Sequence, residues 1–130
     1  NLYIIGTMNT ADRSLALVDY ALRRRFAFVT LAPNFNERFR QSLLSRGCPS
    51  EIIEQICDRI AALNVQISAD TRSLGPGYQI GHSYFCDGAP IKDPVAWLRD
   101  IVRFEIQPLL EEYWMDDSKK AAEEVGKLVA

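Results

Sequence analysis

Ser50-Glu51-Ile52-Ile53-Glu54-Gln55-Ile56-Cys57-Asp58-Arg59-Ile60-Ala61-Ala62-Leu63-Asn64-Val65-Gln66-Ile67 decides the fold. Apolar side chains at Ile53, Ile56, Cys57, Ile60, Leu63 and Ile67 recur at steps of three and four, which puts them on one stripe of an α-helix. Such a stripe must be buried against other elements, and its neighbours carry the same period. Upstream, Asn36 can cap a helix over 37–45 that Gly47 and Pro49 close. Downstream, Asp93-Pro94 is a cap followed by proline at the first helical position. Leu98, Ile101, Val102, Ile106, Leu109, Leu110 and Tyr113 then share one face of a long helix. Pro108 lies inside that helix and is expected to kink it. Between these helices, Ser73 to Tyr78 reads as a loop with two glycines around a proline, and Gly81 to Phe85 as a short third helix. Residues 116–130 are helical by propensity but only weakly amphipathic.

Pro33 and Asn34 mark a change of architecture. Before them, Leu2 to Ile5 is a continuous apolar run suited to a strand covered on both faces, and Phe26 to Leu31 is a second. A polar loop, Thr7 to Ser14, follows the first run, and Asp19 can cap a short helix through Tyr20 to Arg24. Strand, loop, helix and strand make one α/β unit, too small to stand alone. The chain is therefore expected to be mostly α, with an α/β remnant over residues 1–31 and an all-helical domain over 32–130. The opening without methionine, directly into an apolar run, reads as the continuation of a longer chain.

Composition narrows the class. Hydrophobic residues make up 48% and charged residues 25% of the 130, which fits a globular domain and excludes a disordered one. No apolar run approaches the ~20 residues of a membrane span, and no basic-led signal peptide opens the chain. Cys48, Cys57 and Cys86 are odd in number and match no zinc spacing, so they read as small hydrophobes in a reducing, cytoplasmic setting. A net charge of -2 gives no general attraction to nucleic acid or membrane. Locally, however, Arg13, Arg23, Arg24 and Arg25 outnumber Asp12 and Asp19 in the first quarter.

The most specific chemistry lies there, in Met8-Asn9-Thr10-Ala11-Asp12-Arg13-Ser14 and Asp19-Tyr20-Ala21-Leu22-Arg23-Arg24-Arg25-Phe26. An uncharged amide at a strand tip, Asn9, can hold an attacking water and a terminal phosphate oxygen without adding negative charge. Arginine binds phosphate oxygens bidentately and stays charged. Three in a row point in different directions, so at least one should project away from its own subunit. The bland alternative is a turn asparagine and arginines that offset a helix dipole. Elsewhere, adjacent Glu111 and Glu112 project about 100° apart on a helix, which suits a solvated face better than acid–base work. Trp97 and Trp114 lack interleaved basic residues and read as core. Asp116-Asp117 lacks the spaced oxygen ligands of a calcium loop.

In order and spacing, the run from Asn9 to Phe26 resembles the AAA+ nucleotide hydrolases, from their sensor-1 asparagine to an arginine finger before Arg-Phe. Together with Ile80-Gly81-His82-Ser83-Tyr84-Phe85 and Pro108-Leu109-Leu110-Glu111-Glu112-Tyr113, it is similar more narrowly to the McrB-type GTPase subunits of 5-methylcytosine-specific restriction systems. The resemblance covers nearly the whole chain. It implies the C-terminal end of an AAA+ core followed by a helical lid, with Asn9 as sensor 1 and Arg24 and Arg25 as fingers acting on a neighbour's nucleotide. Arg23 is a weaker finger, and Asp12 and Arg13 belong to an interface near the nucleotide. His82 stands roughly where many lids carry a sensor-2 arginine, and is read either as a nucleotide neighbour or as a capping and packing residue, with Gly81 permitting close backbone approach. The resemblance further implies GTP or ATP with Mg²⁺, a homo-oligomeric ring (a hexamer), a McrC-type nuclease partner, and DNA read by an upstream domain. No Gly-x-x-x-x-Gly-Lys-[Ser/Thr] occurs, so this chain alone is expected to be catalytically silent. Two alternatives stay open: a MoxR-like or dynein-related ATPase that remodels proteins, and a non-catalytic helical interaction module.

Overall fold

The computed structural model describes residues 1–9 and 24–129. Its helices begin where the sequence changes period. Asn36 accepts the Phe39 N–H through Oδ1 at 3.2 Å and starts α1, Glu37–Ser45. The helix ends in a Schellman turn, with Gly47 N–H on the Leu44 carbonyl at 3.1 Å and Cys48 N–H on the Leu43 carbonyl at 3.0 Å. Gly47 holds φ +97°, and a Cβ there would meet the Ile91 carbonyl oxygen at 3.0 Å, so conformation and space both demand glycine. After Pro49 comes α2, Ser50–Ala69, which buries the whole predicted stripe plus Asn64.

Two short 3-10 turns follow, Pro76–Tyr78 and His82–Phe85. Asp93 then caps α3, Pro94–Ile101, by accepting the Ala96 N–H at 3.0 Å. The helix runs on through a π-helical stretch, Val102–Ile106, into α4, Gln107–Tyr113. The disturbance expected from Pro108 takes this form. Pro108 has no N–H, and its ring crowds the carbonyl four residues back. The helix widens just before it, and Gln107 donates its N–H to Val102, five residues away. Leu98, Ile101, Val102, Ile106 and Leu110 are buried, while Leu109 and Tyr113 pack half-buried against them.

The last helix, α5 (Ser118–Val129), corrects the sequence view of residues 116–130 as weakly amphipathic. Asp117 accepts the Lys120 N–H at 3.1 Å to cap it. Ala121 and Leu128 then enter the core, with Val125 packed at its edge. Three small or aliphatic residues at helical spacing suffice because α5 closes a gap beside α2 and α4. Arg59 of α2 fastens its end, donating from Nη1 to the Leu128 carbonyl at 2.9 Å.

The two expected strands are not present. Among the described residues there is no strand, and 2–5 and 26–31 run as exposed, irregular chain, with Ile5 94% and Leu31 89% exposed. A strand persists only with a ladder partner for its N–H and C=O groups. Among the described residues nothing offers one. The expected helix from Tyr20 falls largely on residues outside those described; Arg24 to Phe26 form a turn.

Three polar clamps tie loops to this bundle. Arg46, its side chain only 8% exposed, donates Nε–H to the Ala89 carbonyl and Nη1–H to the Phe85 carbonyl, both at 2.7 Å, and pairs through Nη2 with Asp87. Its guanidinium also lies 5.6 Å from the Trp97 ring centroid. Buried Asn64 grips both backbone groups of Ile80: Ile80 N–H to Oδ1 at 2.7 Å, and Nδ2–H to the Ile80 carbonyl at 2.9 Å. Asp70 accepts the Trp114 indole N–H at 3.1 Å and the Ser73 N–H at 3.3 Å, with Lys120 Nζ at 3.5 Å. Lys120 also sits 4.5 Å from the Trp114 ring centroid, so one carboxylate joins α2, α4 and α5.

Arg46→Ala is expected to lower the unfolding free energy by about 2–4 kcal/mol, measured by urea denaturation. Arg46→Lys should recover little, because an ammonium cannot reach three acceptors spread across one plane. The Trp114 hydrogen bond, then the Ser73 N–H and Lys120, hold the Asp70 carboxyl below its ordinary value. The folded state thus takes up this proton less readily than the unfolded chain. The contribution is complete above the ordinary value and disappears as pH falls through the lower, folded one. Asp70→Asn should therefore be less stable near neutrality and show a shallower loss of stability on acidification. Parallel acid-limb slopes for the two proteins would refute the assignment.

Candidate functional site

The residues singled out in the sequence fall into three groups. Asn9 is exposed. Arg24 and Arg25 lie in the turn ending at Phe26; both are exposed, and among the described residues neither enters an ion pair. Asp12, Arg13 and Arg23 lie outside the described residues. His82 belongs to the helical domain, at the start of the second 3-10 turn.

The surroundings of His82 are well defined. Its Nδ1 accepts the backbone N–H of Asn34 at 3.2 Å, across a sequence separation of 48 residues. Its carbonyl accepts from the Cys86 thiol at 3.2 Å, and Cys86 N–H closes the turn on the Ser83 carbonyl at 3.1 Å. The ring of Phe35, next to Asn34, meets Phe39 edge-on at 5.1 Å, His82 at 6.2 Å and Phe85 at 6.4 Å between centroids. Phe85 in turn meets Trp97 at 6.2 Å. The row ends on Trp97, whose indole N–H is buried without a partner among the described residues. Chain entering the domain at residues 33–36 is thus laid onto an aromatic row, with His82 making a polar contact to that entry. Gly81 has extended backbone, φ -85° and ψ 163°, and an added Cβ would make only ordinary contact with Ser83 Oγ at 3.5 Å. Glycine is not required there by conformation.

Other features are structural. Trp114 is buried, and Glu111 and Glu112 are exposed. Cys48 and Cys57 are buried, and burial pushes both thiols up; Cys86 is exposed, against the expectation that all three pack as small hydrophobes. Burial, followed by the neighbouring Tyr84 and Tyr78, raises the Tyr113 hydroxyl to about 12. Among the described residues no three His, Cys, Asp or Glu side chains converge as a metal site, and no helix is long and apolar enough to cross a membrane. A groove of about 160 Å³ between α2, α3 and the end of α5 is lined by Ile52, Arg59, Val95 and Arg99 among others, and includes none of the predicted site residues.

Sequence reasoning missed Arg46, Asn64 and Asp70. Only Asn64 left a signal, a polar residue on an otherwise apolar stripe.

Comparison with known proteins agrees with this architecture. The family described as "McrB, alpha-helical lid domain" matches residues 55–122, from the first third of α2 into α5. The chain is 48% identical over 132 residues to the "Type IV methyl-directed restriction enzyme EcoKMcrB subunit" of Escherichia coli (strain K12). That alignment covers 99% of this chain and 29% of the relative, so the chain spans less than a third of the relative's length.

Proposed function

The chain belongs to the McrB family, whose alpha-helical lid domain it carries, and we propose that it is the C-terminal part of an AAA+ GTPase motor subunit in a methyl-directed restriction system. Under this proposal residues 1–31 complete an α/β nucleotide-binding core, and residues 32–130 are its lid. Nucleotide and Mg²⁺ are held by residues outside this chain. Asn9 orients the attacking water, Arg24 and Arg25 reach the triphosphate of a neighbouring protomer, and Asp12, Arg13 and Arg23 line that boundary. Protomers close into a ring, a McrC-type partner supplies the nuclease, and an upstream domain reads DNA.

The observation that carries this is identity at 48% running through 99% of the chain, both the sensor and arginine stretch and the lid. The exposure of Arg24 and Arg25 supports it further. A finger must be free to leave its own subunit, and developing charge on a transferred phosphoryl group is what a guanidinium stabilises. Such an arginine supplied across an interface accelerates hydrolysis by ~10³–10⁵.

In the complete protein, Arg24→Ala combined with Arg25→Ala should reduce GTP turnover by about 10³-fold or more while nucleotide affinity changes little. Turnover is measured by phosphate release in the assembled oligomer. Undiminished hydrolysis would remove both arginines from the mechanism. ATP turnover exceeding that of GTP would instead favour the MoxR-like or dynein-related alternative.

A further inference from the structure

From the contact between His82 and Asn34 we infer that His82 is a positioning residue, holding the entry of the chain into the helical domain through Nδ1 rather than touching nucleotide itself. The inference rests on the proposed function for its catalytic consequence, though not for the existence of the latch.

The local chemistry leaves this segment few other anchors. Pro33 has no N–H, so the Asn34 N–H is the first donor after the change of architecture. It goes to His82 Nδ1 at 3.2 Å. Two residues later the Asn36 side chain and carbonyl are committed to starting α1, accepting from Phe39 N–H and Arg40 N–H, each at 3.2 Å. Phe35 between them lies edge-on to the His82 ring. His82 itself stands on a fixed base. Asn64 grips Ile80 two residues before it, and Arg46 holds the Phe85 carbonyl at the end of its turn. A side chain mounted on so constrained a stretch sets where residue 34 sits, and hence the direction from which residues 24–31 approach the lid.

Accepting an N–H requires a lone pair on Nδ1, so the ring must be the neutral tautomer with its proton on Nε2. The two nitrogens can therefore be separated by substitution. An asparagine oxygen can occupy the place of Nδ1, and a glutamine amide reaches the place of Nε2. His82→Asn should keep the latch, whereas His82→Gln and His82→Ala should lose it.

His82 is the only histidine in the chain, so its ring nitrogens give one unambiguous set of ¹⁵N signals in the 130-residue protein. The expected result is the Nε2–H tautomer, together with Asn34 amide exchange about fivefold to tenfold faster in the Gln and Ala variants than in the wild type or the Asn variant. A proton on Nδ1, or equal Asn34 exchange in wild type and His82→Ala, would overturn the latch. In the complete GTPase, His82→Asn should retain kcat, while Gln and Ala lower kcat with KM little changed. Activity kept by Gln and lost by Asn would show direct contact through Nε2 and overturn the inference. Full activity in all three variants, with Arg24 and Arg25 still essential, would overturn the positioning role and leave the proposed function intact. Insensitivity to Arg24 and Arg25 as well would remove the function on which that role depends, while the tautomer and exchange measurements still decide the latch.

Discussion

The Arg46 guanidinium is the constraint on which the loop side of this bundle depends. It emerges just past the C-terminus of α1 and reaches two main-chain carbonyls and a carboxylate, all between Phe85 and Ala89. That stretch has no regular structure of its own after the 3-10 turn, so its carbonyls would otherwise have to be satisfied by water. The backbone of the same residue closes the arrangement, since the Arg46 carbonyl accepts the Ile91 N–H at 2.7 Å. The tight approach at Gly47 follows directly, because the chain near Ile91 can come this close only where no side chain intervenes. One turn of sequence thus places the His82–Phe85 turn, the loop beyond it and the start of α3.

Hydrophobic burial supplies the rest, and it is distributed rather than local. The stripe of α2 shares one core with the buried faces of α3, the π-helical stretch and α4, and α5 packs against α2, the π-helical stretch and α4. Clamps made by Asn64 and Asp70 lie at the borders of this core, where loops cross it. Each satisfies backbone or indole groups that would be costly to bury unpaired. Burial makes the domain stable, and the three polar clamps give its loops one conformation.

Much of this was legible in sequence because it rests on periodicity and capping. Asn36, Gly47, Asp93 and Pro94 mark helix ends by local chemistry, and the α2 stripe follows from spacing alone. What was not legible depends on partners distant in sequence. Arg46 sits beside a helix end, where an arginine ordinarily offsets the dipole, and nothing nearby announces acceptors some forty residues on. The α5 face was underestimated because only a few small or aliphatic side chains at helical spacing, Ala121, Val125 and Leu128, carry its packing. The two strands were expected from β-branched runs that are sound local signals, yet a strand is a property of a sheet and not of one segment. For the candidate site, the pattern from Asn9 to Phe26 is recognisable as text, whereas under the proposed function its geometry belongs to a boundary between protomers. His82 could be marked as a candidate, but its Nδ1 partner could not be guessed from spacing.

The contrast among the three cysteines has a practical consequence. Cys48 and Cys57 are enclosed and their thiols are held protonated by burial, while Cys86 is open to solvent at the end of the His82–Phe85 turn. Thiol-directed reagents act on exposed, ionisable sulfur. The native fold therefore presents one addressable handle, a single turn from the imidazole that meets Asn34, and a fluorophore or spin probe attached there would report on the surroundings of that contact without any engineered residue.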